Sequence, residues 1–90
     1  MTLLHTGKAG TDESSDILIE ITPSDTLSIT LESKVESLYG KKIRAVIEET
    51  LKDMGITGAT VHARDNGALD YAIRARVKAA VRMGRGEHDT

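Results

Sequence analysis

A short polar loop, Ala9, Gly10, Thr11, Asp12, Glu13, Ser14, Ser15, Asp16, runs straight into the alternating segment Ile17, Leu18, Ile19, Glu20, Ile21. A glycine-led loop feeding a strand holds a hydroxyl in water on a rigid base, which suits a side chain that another enzyme modifies. Ser14 is the candidate and its neighbour Ser15 the fallback, although a serine in a polar turn is most often only a turn residue. Other chemistry is scarce. The chain has no cysteine, hence no disulfide, thiolate ligand or thiol nucleophile, and any thiol chemistry must be imported. His5, His62 and His88 lie far apart without ligand spacing, so no metal site is expected. The adjacent carboxylates Asp12 and Glu13, or Glu48 and Glu49, point apart and read as solubilising charge rather than an acid/base pair. No nucleophile elbow, phosphate-cradling glycine loop or dinucleotide fingerprint is present, so the chain shows no catalytic residues of its own.

The elements that must position the loop belong to one small domain. Ninety residues, 39% hydrophobic and 29% charged with a single proline, fit a folded α+β domain over 1–86 and a disordered tail over 87–90. Without Phe or Trp the core must be aliphatic, and base stacking on exposed rings is improbable. Neither a signal peptide nor a membrane-length apolar run is visible, and a cytoplasmic location is the default expectation. Charge is polarised, from −4 up to Gly55 to +2 thereafter. Residues 2–8 read as an edge strand or a frayed end. Residues 16–22 alternate, with Ile17, Ile19 and Ile21 on one face, and 26–32 do the same with Leu27, Ile29 and Leu31. Pro23, Ser24 and Asp25 between them predict a tight hairpin.

Ser33 followed by Glu36 spells a capping box, after which Val35, Leu38, Tyr39, Ile43, Val46, Ile47, Leu51 and Met54 recur at helical spacing until Gly55. Gly40 inside that helix hints at close packing on a neighbour. A further strand spans 57–64, with Ala59, Val61 and Ala63 opposed to Thr60, His62 and Arg64. A second helix over 68–83 places Leu69, Ala72, Ile73, Val77, Ala80 and Val81 on its apolar face and Asp70 in its first turn. The order β(β)βαβα implies a two-layer sandwich, a small, mainly antiparallel sheet of three or four strands with both helices on one face. Arg74, Lys78, Arg82 and Arg85, with Arg76 toward the edge, form a basic stripe that is either a solvated face or a docking surface for a partner or phosphates. Gly55, Ile56, Thr57, Gly58 matches a GxxG nucleic-acid loop, but joins a helix to a strand where that loop joins two helices.

The segment Asp65, Asn66, Gly67, Ala68, Leu69, Asp70, followed by Arg74, Ala75 and Arg76, resembles the most distinctive motif of the citrate lyase acyl carrier protein (gamma subunit) family. The loop Ala9, Gly10, Thr11, Glu13, Ser14, Asp16 is similar to theirs, as is the helix bearing Val35, Gly40 and Ile43. The resemblance covers about residues 9–84. It implies a non-catalytic carrier whose serine, Ser14 by position, holds 2′-(5″-phosphoribosyl)-3′-dephospho-CoA through a phosphodiester, the thiol of which carries acetyl and citryl groups. It also implies as partners the alpha (acyl transferase) and beta (lyase) subunits, and the holo-synthase that attaches the group. Family members usually have glycine where this chain has Ser15. The triplet Asp25, Thr26, Leu27 resembles the attachment motif of helical fatty-acid carriers but has the wrong hydroxyl residue in a strand setting. Citramalate lyase and malonate decarboxylase carriers use a similar group, and a small RNA-binding or protein-interaction module is the alternative from another class.

Overall fold

The computed structural model describes residues 3–33 and 36–87, the side chains of 36 and 37 excepted. In chain order it contains β1 (Gly7–Gly10), β2 (Ile17–Pro23), β3 (Leu27–Ser33), α1 (Glu36–Asp53), β4 (Ala59–Asp65) and α2 (Asp70–Gly84). The four strands form one mixed sheet in the order β1-β2-β4-β3, and the helices cover one face of it. The period of two decides which face. Ile17, Ile19 and Ile21 of β2 and Ala59, Val61 and Ala63 of β4 are fully buried, whereas Thr60, His62 and Arg64 between the latter stand in solvent. Register aligns Ile19 with Ala63 and Leu31, and Ile21 with Val61 and Ile29. Against these rows α1 packs Ile43, Val46, Ile47 and Leu51, and α2 packs Ile73, Val77, Ala80 and Val81. Each fully buried Ile or Leu contributes about 1.5–3 kcal/mol, so an aliphatic layer of this kind stabilises the fold without Phe or Trp.

The expected β2–β3 hairpin is not formed. β4 inserts between the two strands, antiparallel to β2 and parallel to β3. Residues 24–26 therefore cross over the start of β4 instead of turning back on β2. Ala59 N donates to Thr26 O at 3.1 Å. A Cβ on Gly58 would lie 2.3 Å from Ser24 O, so only glycine lets the crossing segment approach this closely. The physical reason is the demand of the core. β4 buries its whole inner row completely, while Leu27 of β3 is 36% exposed, and the more apolar strand takes the central place. A strand, helix and strand in succession also pair naturally as a parallel crossover unit.

Other boundaries shift. β1 covers Gly7–Gly10 rather than 2–8, and the preceding segment is tied to α2 through Leu4 N and His5 N, both donating to Gly84 O. Ser33 ends β3 and its hydroxyl donates to Asp65 Oδ2 at 2.9 Å, while the Glu36 side chain of the expected capping box is not described and Val35 lies outside the described residues. Gly40 is buried within α1. In the segment 87–90, Glu87 N donates to Arg82 O, and residues 88–90 lie outside the described residues. No helix among the described residues is long and apolar enough to cross a membrane.

Candidate functional site

Topology gathers the loop residues at one pole. Ile17, where β2 begins, lies opposite Asp65, where β4 ends, and Ser33, where β3 ends, lies opposite the same residue. The 11–16 loop, the 66–69 turn and the N-termini of both helices therefore share one end of the sheet. Two clasps make that end rigid. The first is the Asp16 carboxylate, whose Oδ2 accepts from Thr11 Oγ1 at 2.7 Å and Arg76 Nη2 at 2.8 Å, and whose Oδ1 accepts from Ile17 N at 2.7 Å and Arg76 Nε at 3.1 Å. This two-pronged guanidinium contact, followed by the Thr11 hydroxyl, holds the Asp16 pKa down from 3.8 to about 2, against the opposing effect of burial. Thr11 Oγ1 in turn accepts from Glu13 N at 3.1 Å.

The second clasp is Asn66. Its carbonyl accepts from Ser15 N at 2.8 Å, its N–H donates to Asp16 O at 2.9 Å, and its Nδ2 donates to Asp12 O at 3.0 Å. Asn66 is itself fixed by the turn that the buried Asp65 organises, accepting from Gly67 N at 3.1 Å, Ala68 N at 2.9 Å and the Ser33 hydroxyl. On this base Asp16 N donates to Glu13 O at 3.2 Å, closing a turn with Ser14 and Ser15 at its centre. Gly10 at φ 100° lets β1 enter the loop, and Ser15 sits at φ 66°, a left-handed conformation that favours glycine. Both serines are exposed, and neither hydroxyl has a hydrogen-bond partner among the described residues. Ser14 keeps an ordinary backbone beside a strained, pinned neighbour.

The basic stripe separates into three parts. Arg74, Lys78 and Arg82 share the outer side of α2 and have no carboxylate partner among the described residues. Arg76 belongs to the Asp16 clasp rather than to the stripe's edge. Arg85 leaves the stripe, its Nη2 donating to Met54 O and Nη1 lying 3.7 Å from Glu87. Sequence spacing could not reveal the Asp16–Arg76 pair, because its partners are 60 positions apart. Sequence reasoning also misplaced three apolar residues. Leu38, Tyr39 and Leu69, read as inward, are 78%, 54% and 63% exposed. Tyr39 and Leu69 line a groove of about 350 Å³ together with Ile43, Gly67 and Ala68, and Lys42 Nζ lies 3.7 Å from Asp70 Oδ2 in the same lining. His5 and His62 stay apart, and no group of three His, Cys, Asp or Glu residues gathers among the described residues.

Comparison with known proteins gives consistent matches. The family described as ACP, malonate decarboxylase delta subunit (MdcD), matches residues 5–83. A citrate lyase acyl carrier protein of Streptococcus uberis is 51% identical over 87 residues, 96% of this chain and 86% of that one. Those of Latilactobacillus sakei and Halothermothrix orenii are 49% and 41% identical, covering 99% of this chain and 89% and 97% of theirs. A chain in the crystal structure of a Pseudomonas malonate decarboxylase hetero-tetramer in complex with malonate superposes with a TM-score of 0.76 at 18% identity, covering 92% of this chain and 87% of that one. At that identity the likeness concerns the fold.

Proposed function

This chain belongs to the acyl carrier family of those relatives, and we propose that it is the acyl carrier subunit of citrate lyase, with Ser14 as the attachment site of its prosthetic group. The observation that carries the reading is an exposed, unpartnered hydroxyl on a turn that Asp16 and Asn66 immobilise. Near full-length identity to citrate lyase carriers favours this complex over a citramalate lyase or malonate decarboxylase. The covalent group is 2′-(5″-phosphoribosyl)-3′-dephospho-CoA, and when bound it supplies the thiol that this cysteine-free chain lacks. The residues present fit it. A phosphodiester needs only a free hydroxyl, and Arg76 and Arg64 pair with two of the loop carboxylates, Asp16 and Asp12, which lowers the negative charge that a phosphate on Ser14 would meet.

The chain's own part is positional. Thr11, Asp16, Arg76 and Asn66 hold the turn still while the tethered group visits the alpha acyl transferase and beta lyase subunits, the tether replacing diffusion by a high effective concentration. Reaction at either subunit requires no acid, base or nucleophile from this chain. Coexpression with the holo-synthase tests the site. Intact mass should show the adduct on the wild type and on Ser15→Ala but not on Ser14→Ala, with circular dichroism unchanged in all three. Loading that survives in Ser14→Ala and fails in Ser15→Ala moves the site to Ser15.

A further inference from the structure

We propose that the apolar rim beside the serine turn, together with the unpaired cations of α2, is the surface on which a catalytic partner protein docks, its own face an apolar socket bordered by carboxylates. The inference rests on the carrier reading above and adds where the partner sits. Its starting point is a violation of local rules at Leu69. This residue occupies the N-cap of α2 with an extended backbone (φ −79°, ψ 161°) and offers no side-chain cap. Ser, Thr, Asp or Asn at that position would satisfy one of the free N–H groups of the first turn. A leucine there satisfies none, and at 63% exposure it gains little from burial. Such a residue stabilises neither the helix nor the core, and its side chain is available to another molecule.

Leu69 is not isolated. Of the seven large hydrophobic residues exposed among the described ones, Leu38, Tyr39, Leu69 and Tyr71 lie in the first turns of α1 and α2 or just before them, at the pole that carries Ser14. Asn66, which holds Ser15, is three residues from Leu69, so a partner seated on the rim also meets the serine turn. Tyr71, Arg74, Lys78 and Arg82 continue from it along one side of α2 at helical spacing, and Tyr71 is 72% exposed. An aromatic and aliphatic centre bordered by arginine and lysine has the anatomy of a protein interface. Cations without carboxylates of their own fix the sign of the complementary border. The far face of the sheet offers no equivalent, since among the described residues its one large apolar side chain is Leu18, half-buried amid Lys8, Glu20, His62 and Arg64.

Leu69→Asn separates docking from folding. It removes the apolar side chain, adds no charge and supplies a good N-cap, so its melting temperature should rise, by about 4–8 °C if the cap is worth its usual value. Binding of the purified chain to the citrate lyase alpha and beta subunits of the same host, measured by biolayer interferometry, should nevertheless weaken tenfold or more for at least one subunit. Lys78→Glu should weaken binding to that subunit at low salt, by a factor that shrinks as salt rises. Thr60→Glu, on the far face, should leave it unchanged. Wild-type affinity in Leu69→Asn overturns the inference. So does retention of the wild type on single-stranded RNA that Lys78→Glu abolishes, which makes the cations a nucleic-acid surface. A wild-type chain that is never loaded and binds neither subunit refutes the carrier reading instead.

Discussion

Replacing Asp16 with Asn should uncouple the serine loop from α2 and should do so in a pH-dependent way. In the wild type the Asp16 pKa falls from 3.8 to about 2, chiefly through Arg76 and then Thr11. At roughly 1.4 kcal/mol per pH unit this difference corresponds to at most about 2–3 kcal/mol of stability. The Arg76 side chain is 41% exposed, and solvent screening reduces the expected value to about 1–2 kcal/mol. Because the folded pKa lies below the unfolded one, this stability is fully present above pH 4 and is lost as pH falls toward 2. Urea unfolding should therefore show Asp16→Asn less stable than the wild type by about 1–2 kcal/mol at pH 7, with the gap narrowing from pH 4 downward. Carbon-detected NMR of the Asp16 carboxyl should titrate near pH 2 in the wild type and move back toward the ordinary carboxylate range in Arg76→Ala. A gap that is constant with pH, or a carboxyl titration unmoved by Arg76→Ala, refutes the clasp.

Two further substitutions probe the backbone. Ser15→Gly should stabilise the chain by about 0.5–1 kcal/mol, because φ 66° costs serine more than the extra chain entropy of glycine, and loading should persist. Urea unfolding that shows Ser15→Gly less stable contradicts the turn geometry. Gly58→Ala should destabilise by about 1–3 kcal/mol, since its Cβ would meet the backbone at Ser24. A neutral result in the same assay would mean that the 24–26 segment does not cross β4 there.

The strands with one fully buried face were legible in the sequence. Ile17, Ile19 and Ile21, and Ala59, Val61 and Ala63, alternate because each inward position meets a helix, and period two follows from that. Strand pairing was not legible, because Pro23, Ser24 and Asp25 have the composition of a hairpin turn and nothing local distinguishes a turn from a short crossing over β4. The close approach at Gly58, encoded more than thirty positions later, decides it. The serine turn was legible from composition, since Gly, Asp and Ser each favour turns for local reasons. Its rigidity was not, because Asp16 and Arg76 meet only after β2 and α2 have packed. Helical periodicity failed at Leu38, Tyr39 and Leu69, all at the serine pole. Pattern reasoning assigns an apolar residue to the core, and a side chain exposed at that pole breaks the rule.

The central claim is that Ser14 carries the thiol-bearing group, and the most direct measurement is the intact mass of the protein isolated from a native host that assembles active citrate lyase. Fragmentation of the peptide spanning residues 10–16 then locates any adduct. A phosphoribosyl-dephospho-CoA increment on Ser14 is the predicted result. An unmodified mass in such a host contradicts the account.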